Sequence, residues 1–233
     1  MVRTLDAATL LSAWEAAETV PDLRRPAVIL GALLPDRSCE EWALSPIGER
    51  DRQLIQIREA WFGGQFETVA TCPQCGGRMD VAFRTSDILA PAADEQPLHV
   101  TVAGEEIWFR LPNSQDLLEA ARVGTAEMRT RLLALCVANA GTLSAEAEAL
   151  VVEAMAKADP QADIRVSVRC AACERESALA FDVAAHLWEE IGDWAARLLN
   201  EVHVLASVYG WSERDVLAMS ALRRRAYLQR IEA

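Results

Sequence analysis

The sequence has no apolar run long enough to cross a bilayer. Its longest, Ala27 to Leu34, is eight residues with a glycine inside, and Pro35 stops it, against about 20 for a membrane-spanning helix. Histidine is scarce. Of the three, His99 stands in a strand pattern, and His186 and His203 lie too far apart in one helical pattern to place two ligands on adjacent turns. No glycine-rich phosphate loop appears. Positive charge is short as well: 23 basic against 35 acidic residues give a net charge of −12, which repels a phosphate backbone and disfavours nucleic-acid binding. The carboxylate pairs Glu40-Glu41, Glu105-Glu106 and Glu189-Glu190 are chain neighbours, so they do not converge on one reacting atom. These absences predict a non-enzymatic protein with no catalytic residues and no membrane partner. Asp6 and Glu15 fall where a signal peptide needs a basic start and an apolar middle, and the expected location is therefore cytoplasmic.

What the chain does have is apolar mass. Hydrophobic residues make up 52% of 233 residues, with seven tryptophans spread from Trp14 to Trp211, enough to bury a core and to exclude disorder. It also has six cysteines in an uneven arrangement. Cys72 and Cys75 form one Cys-x-x-Cys pair and Cys170 and Cys173 a second, while Cys39 and Cys136 stand alone. In a reducing compartment two such pairs favour a metal over disulfides.

The hydrophobic period changes along the chain. Leu5, Leu10, Leu11 and Trp14 recur at helical spacing, Pro26 opens a short apolar helix, and Leu54, Ile57 and Trp61 mark another from Glu49 to Phe62, ended by Gly63-Gly64. Met79, Val81 and Phe83 then alternate with polar residues as a strand does. Ala90 to Pro97 reads as an exposed connection. Leu98, Val100 and Val102 pair with Ile107, Phe109 and Leu111 as a hairpin turning through Ala103 to Glu106, and Ser114 is the expected cap of a helix starting at Gln115. Further helices follow, one capped by Ser144 and ended by Pro160. Ile164, Val166 and Val168 lead into the second cysteine pair, and Leu179 and Phe181 follow it. From Val183 to Tyr209 the chain is helical again. Ser212 and Asp215 form a capping box, and a last helix carries Arg223, Arg224, Arg225 and Arg230, read as solvated charge complementing the helix dipole, with a grip on an acidic partner as the alternative.

The two cysteine units match in position: each runs strand, Cys-x-x-Cys, seven residues, then phenylalanine at Phe83 or Phe181. Cysteines two apart on a tight turn direct both sulfurs at one ion, and the following amides are free to donate to the thiolates. In the first unit Gly76-Gly77 suits the positive backbone angles of such a turn; the second has Glu174-Arg175 in their place. Cys72, Cys75, Cys170 and Cys173 are therefore the expected ligands of one structural Zn²⁺, with the 94 residues between Cys75 and Cys170 forming an insertion. Iron takes the same ligands, and unmetallated thiols or two separate sites remain as alternatives. A thioredoxin-like redox pair is disfavoured, because a helix should follow its cysteines and alternating residues follow these. Four thiolates leave no open position for catalysis. Zinc holding such a site supplies about 10–16 kcal/mol in small domains, enough for a purely structural role. A nucleic-acid-binding zinc ribbon is a weaker alternative, because Arg78, Arg84, Arg165, Arg169 and Arg175 are offset by Asp80, Asp163, Glu174 and Glu176.

Several strings carry a family likeness. Glu201 to Ala206, Tyr209-Gly210-Trp211-Ser212-Glu213, Arg223 to Leu228 and Ile231-Glu232 resemble the C-terminal signature of small baseplate proteins encoded with contractile phage tails and phage-tail-like injection systems. Phe109 to Leu117, Arg50-Asp51-Arg52, Trp61-Phe62-Gly63 and the first cysteine pair are similar to its earlier blocks. The group is described as baseplate hub assembly chaperones, by analogy with T-even phages. The resemblance implies a non-enzymatic assembly factor that binds baseplate, hub, spike or tape-measure proteins, or else a permanent baseplate component incorporated into the particle.

The expected fold is α+β, mostly helical, with a small central zinc-ribbon-like β region and an inserted hairpin plus helices. The expected segments are an N-terminal helical region over 1–65, the first knuckle over 66–90, the insertion over 98–160, the second knuckle over 161–183 and a C-terminal helical region over 184–233, folding as one interlocked domain.

Overall fold

A computed structural model describes residues 6–93, 97–138 and 143–231. The chain is α+β and mostly helical, and among the described residues its strands form three separate antiparallel hairpins. It forms two compact units, one from residues 1–40 with 185–233 and one from 41–184. Leu5 and Glu232 fall outside the described residues, as does part of the expected connection before Pro97.

The first unit is helical. Helix α1 (Ala7–Glu18) begins where the Asp6 carboxylate accepts the Thr9 amide at 2.8 Å, an N-cap that satisfies an orphan donor. In α2 (Arg25–Leu33), Pro26 occupies the first turn, where its missing N–H costs nothing. A short helix α3 (Cys39–Leu44), not foreseen in the periodicity, follows Pro35. The 27-residue α9 (Val183–Tyr209) buries Ala195 and Leu198 against Leu11, Trp14 and Leu217. Its later turns, with Val202 and Leu205, meet Val216 and the rings of Trp211 and Tyr227. Val216 belongs to α10 (Glu213–Leu217), Tyr227 to α11 (Ala221–Ile231), and Trp211 to the connection that precedes α10. Arg224 of α11 is buried, with Nε donating to Glu201 of α9 at 2.7 Å. One of the four terminal arginines is thus an internal tie and not solvated charge.

In the second unit, α4 (Ile47–Phe62) and the hairpin of β1 (Gln65–Thr71) with β2 (Arg78–Arg84) are joined through Gly63-Gly64. The charged residues of α4 are only partly solvated. Arg50, Asp51 and Arg58 are all buried; Arg50 donates to Asp51 at 2.7 Å and to the Ser114 hydroxyl at 2.9 Å, while the Arg58 guanidinium lies 3.9 Å over the Phe66 ring. Burial pushes the Asp51 carboxyl up to about 6 despite its arginine. After a single turn, α5 (Thr85–Ile88), comes the hairpin of β3 (Leu98–Val102) with β4 (Glu105–Phe109). Its turn is the two residues Ala103 and Gly104, both at positive φ. Glu105 and Glu106 therefore belong to the strand, because a two-residue turn of that hand matches strand twist better than the longer turn read from sequence.

The next helix also starts one residue earlier than expected. Asn113, not Ser114, caps α6 (Ser114–Ala121), its side chain accepting the Asp116 amide at 3.0 Å while Asp116 accepts the Asn113 amide at 3.0 Å; the reciprocal box satisfies two donors where serine at the next position satisfies one. Helices α7 (Thr125–Cys136) and α8 (Ala145–Ala158) follow, the latter capped by Ser144 as expected. Val151 and Leu133 pack under the β3–β4 hairpin with Phe109 and Val137. Trp108 is exposed while its neighbour Phe109 is buried, and Trp61 and Phe62 are half-buried. The last hairpin pairs β5 (Arg165–Arg169) with β6 (Glu176–Ala180). Among the described residues no helix is long and apolar enough to cross a membrane.

Candidate metal centre

Both cysteine pairs sit at hairpin tips, and the two tips fold alike. At the first, the Cys72 amide donates to the Gly77 carbonyl at 2.8 Å and the Gly76 amide to the Cys72 carbonyl at 2.9 Å; at the second, Cys170 donates to Arg175 at 3.0 Å and Glu174 to Cys170 at 2.8 Å. The position after the second cysteine is left-handed in each, Gly76 at φ +71° and Glu174 at φ +58°. The missing glycine therefore does not prevent the second knuckle. Glu174 adopts the same backbone, at the energetic cost a side chain incurs there.

The strands behind the tips form one core. Phe66 stacks on Phe83 at 4.8 Å, and Phe181 stands edge-on to both at 5.4 and 4.9 Å, the tilted geometry that aromatic quadrupoles favour. Phe83 and Phe181, the residues eight positions after Cys75 and Cys173, thus meet face to edge. Ile55, Met79, Val81, Ile88, Ile164 and Val183 complete the cluster, which also holds Cys72 and Cys170.

That packing brings all four expected ligands together. The sulfurs of Cys72, Cys75, Cys170 and Cys173 lie within 4.8 Å of one another. Across the two tips, Cys72 to Cys173 and Cys75 to Cys170 are both 3.7 Å apart. Such spacing is too long for a disulfide, and the cysteines are free. It fits a tetrahedral ion: Zn–S bonds of about 2.3 Å imply sulfur–sulfur edges of about 3.8 Å. Four sulfurs with no carboxylate or imidazole among them are the soft donor set of zinc or iron. Cys72 and Cys170 are buried, Cys173 is half-buried and Cys75 is exposed.

The backbone prepares the cluster for charge. Amides of Cys75 and Gln74 donate to the Cys72 sulfur and bring its thiol down to about 6. For Cys75 the Gly77 amide pulls downward, but the neighbouring sulfurs of Cys72, Cys170 and Cys173 outweigh it and push the thiol up to about 11. Without a cation, then, Cys72 and Cys75 resist being ionised together. A divalent ion removes that conflict.

The other two cysteines do not join. Cys39 opens α3. Cys136 ends α7 in a buried site beside Asp116 and the Arg110–Asp116 ion pair, whose shorter contact is 2.5 Å; burial foremost, then Asp116, push its thiol up to about 12, so it stays protonated and inert. His99 lies 4.7 Å from Trp108, ring centre to ring centre and tilted by 35°, in the β3–β4 hairpin, and His186 and His203 lie in α9. None of the three belongs to the four-sulfur cluster.

One structural residue of this unit escaped the sequence reading. Asp159, buried and 111 positions away, accepts the Gly48 amide at 2.9 Å in the first turn of α4. A Cβ on Gly48 would stand 1.8 Å from its Oδ1. The only local signal was a glycine in the opening turn of an otherwise well-formed helix. The chain matches no family model, no curated protein and no solved structure.

Proposed function

We propose that this chain is a non-enzymatic, zinc-stapled assembly factor that binds another component of a contractile-tail baseplate or hub. The observation that carries the first half is the four-sulfur cluster. Cys72, Cys75, Cys170 and Cys173 would hold Zn²⁺, which when bound supplies a cross-link between hairpins whose nearest ligands in sequence are Cys75 and Cys170. Four protein ligands fill a tetrahedral ion and leave no position for substrate, so the metal's work is to hold.

The second half rests on the resemblance of the C-terminal blocks around Tyr209-Gly210-Trp211 and Arg223 to Leu228, and of the first knuckle, to baseplate hub assembly chaperones. A protein whose metal has no open site and whose helices expose Tyr209 and several arginines suits holding a partner rather than transforming one. The decisive experiment is co-expression with hub, spike and tape-measure proteins of the same apparatus, followed by purification through a tag on this chain. A stoichiometric complex with one of them is the expected result, and co-purification with none overturns the assembly reading. Mature particles then separate a transient factor, which is absent from them, from a permanent component present at fixed stoichiometry.

A further inference from the structure

Two exposed helical faces carry opposite charge at the same pitch. On α11, Arg223 and Arg230 are exposed and seven residues apart, about 10.5 Å along an axis that rises 1.5 Å per residue. Between them lies Ala226, and beside them Leu222 is 78% exposed. The helix itself holds these cations in place: the Arg223 guanidinium lies 5.9 Å from the Tyr227 ring centre, and Arg230 donates to the Ala226 carbonyl at 2.7 Å. On α8, Glu146 and Glu153 are exposed and also seven apart, with Leu150, 38% exposed, between them at the i+4 position of Glu146. None of the four charges makes an ion pair among the described residues. Lys157, the other charge on this α8 face, lies one turn beyond Glu153 and outside the matched span.

We propose that α11 of one copy docks on α8 of a second copy, with Arg223 and Arg230 facing Glu146 and Glu153 and Leu150 seated against Ala226 and Leu222. Equal spacing lets the charges meet in either helix direction. Charge complementarity selects the occupant: α11 holds four arginines and no acid, so the rest of a chain of net charge −12 carries −16. That acidic remainder includes a helix with the complementary acid, leucine, acid pattern. It also repels a nucleic acid, which has no apolar knob to place between the arginines. Because every copy carries both faces, the contact is reciprocal in a closed dimer and propagates in an open chain. The inference is independent of the metal and of the baseplate reading.

Sedimentation velocity on the full chain over a dilution series tests it. Wild type is expected to self-associate, and more weakly as salt is added. R223E/R230E and E146R/E153R are each expected to raise the dissociation constant roughly tenfold or more, and an equimolar mixture of the two variants should recover association, because reversed charges then face each other. Should a reversal disturb the fold by circular dichroism, Leu150→Ser and Leu222→Ser, both at exposed positions, take its place and are expected to weaken association. A monomer at every concentration overturns the proposal. So does association indifferent to these substitutions, or a mixture of folded variants that fails to recover it.

Discussion

At the residue scale the two knuckles form a natural experiment in backbone strain. Gly76 and Glu174 hold the same left-handed position, and no neighbouring atom lies within 4 Å of where a Gly76 Cβ would be. Backbone preference alone thus separates them, at about 1–2 kcal/mol for a residue with a side chain. Gly76→Ala is expected to destabilise by about 1 kcal/mol in urea titration. Glu174→Gly is expected to stabilise by roughly 0.5–1 kcal/mol, since the ion pair it forfeits with Arg169 is exposed and such pairs are worth little; a lower midpoint would contradict it. The sulfurs give a second prediction. Metal loading must displace protons, and Cys75 holds its proton up to about 11, so zinc affinity rises with pH. The fall on acidification steepens below about 6, where Cys72 takes a proton too. Chelator competition at several pH values reads this directly, and a pH-independent affinity would refute it.

At the element scale, the start of α4 depends on a residue far along the chain. The Asp159 carboxylate accepts the Gly48 amide, and because the Gly48 Cα is pressed against that carboxylate, only a hydrogen fits. Burial pushes the Asp159 carboxyl upward, opposed by the Gly48 amide. Asp159→Ala is expected to cost about 1–2 kcal/mol, as loss of a helix cap does. Gly48→Ala alone should cost more, through the clash. The double variant should cost less than the sum of the two, because removing the carboxylate removes the clash, and such non-additivity is the mark of direct contact. Strict additivity in thermal melts would place the two residues in separate environments. Local capping at Asn113, Ser144 and Ser212 was by contrast close to readable from the chain, since donor and acceptor there lie three residues apart.

At the scale of the whole molecule, one shared metal makes a quantitative claim. Purified protein is expected to hold one zinc per chain, and Cys72→Ser and Cys170→Ser should each release it in full, although they lie on different hairpins. Half-retained metal in either variant would mean separate sites. Removing the ion leaves only the apolar core around Phe66, Phe83 and Phe181 to hold the two hairpins together. Chelation should therefore lower the melting transition of the 41–184 unit first, readable as faster proteolysis at residues 65–84 and 165–180. A single coincident transition by all probes would support the expected interlocked domain, whereas two transitions would give the two units independent stability. The sequence by itself determined the α+β class, the order of the main helices and hairpins and the four sulfurs that matter, because periodicity, capping residues and the Cys-x-x-Cys spacing are written within a few residues of one another. Only the tertiary structure decided that the remote tips of the hairpins meet, that Arg50, Asp51 and Arg224 are interior, and that Asp159 closes a helix 111 positions away. Each of these is a contact between residues distant in the chain, and burial of a charge or approach of a sulfur is a property of the neighbours that folding supplies, which no local pattern records.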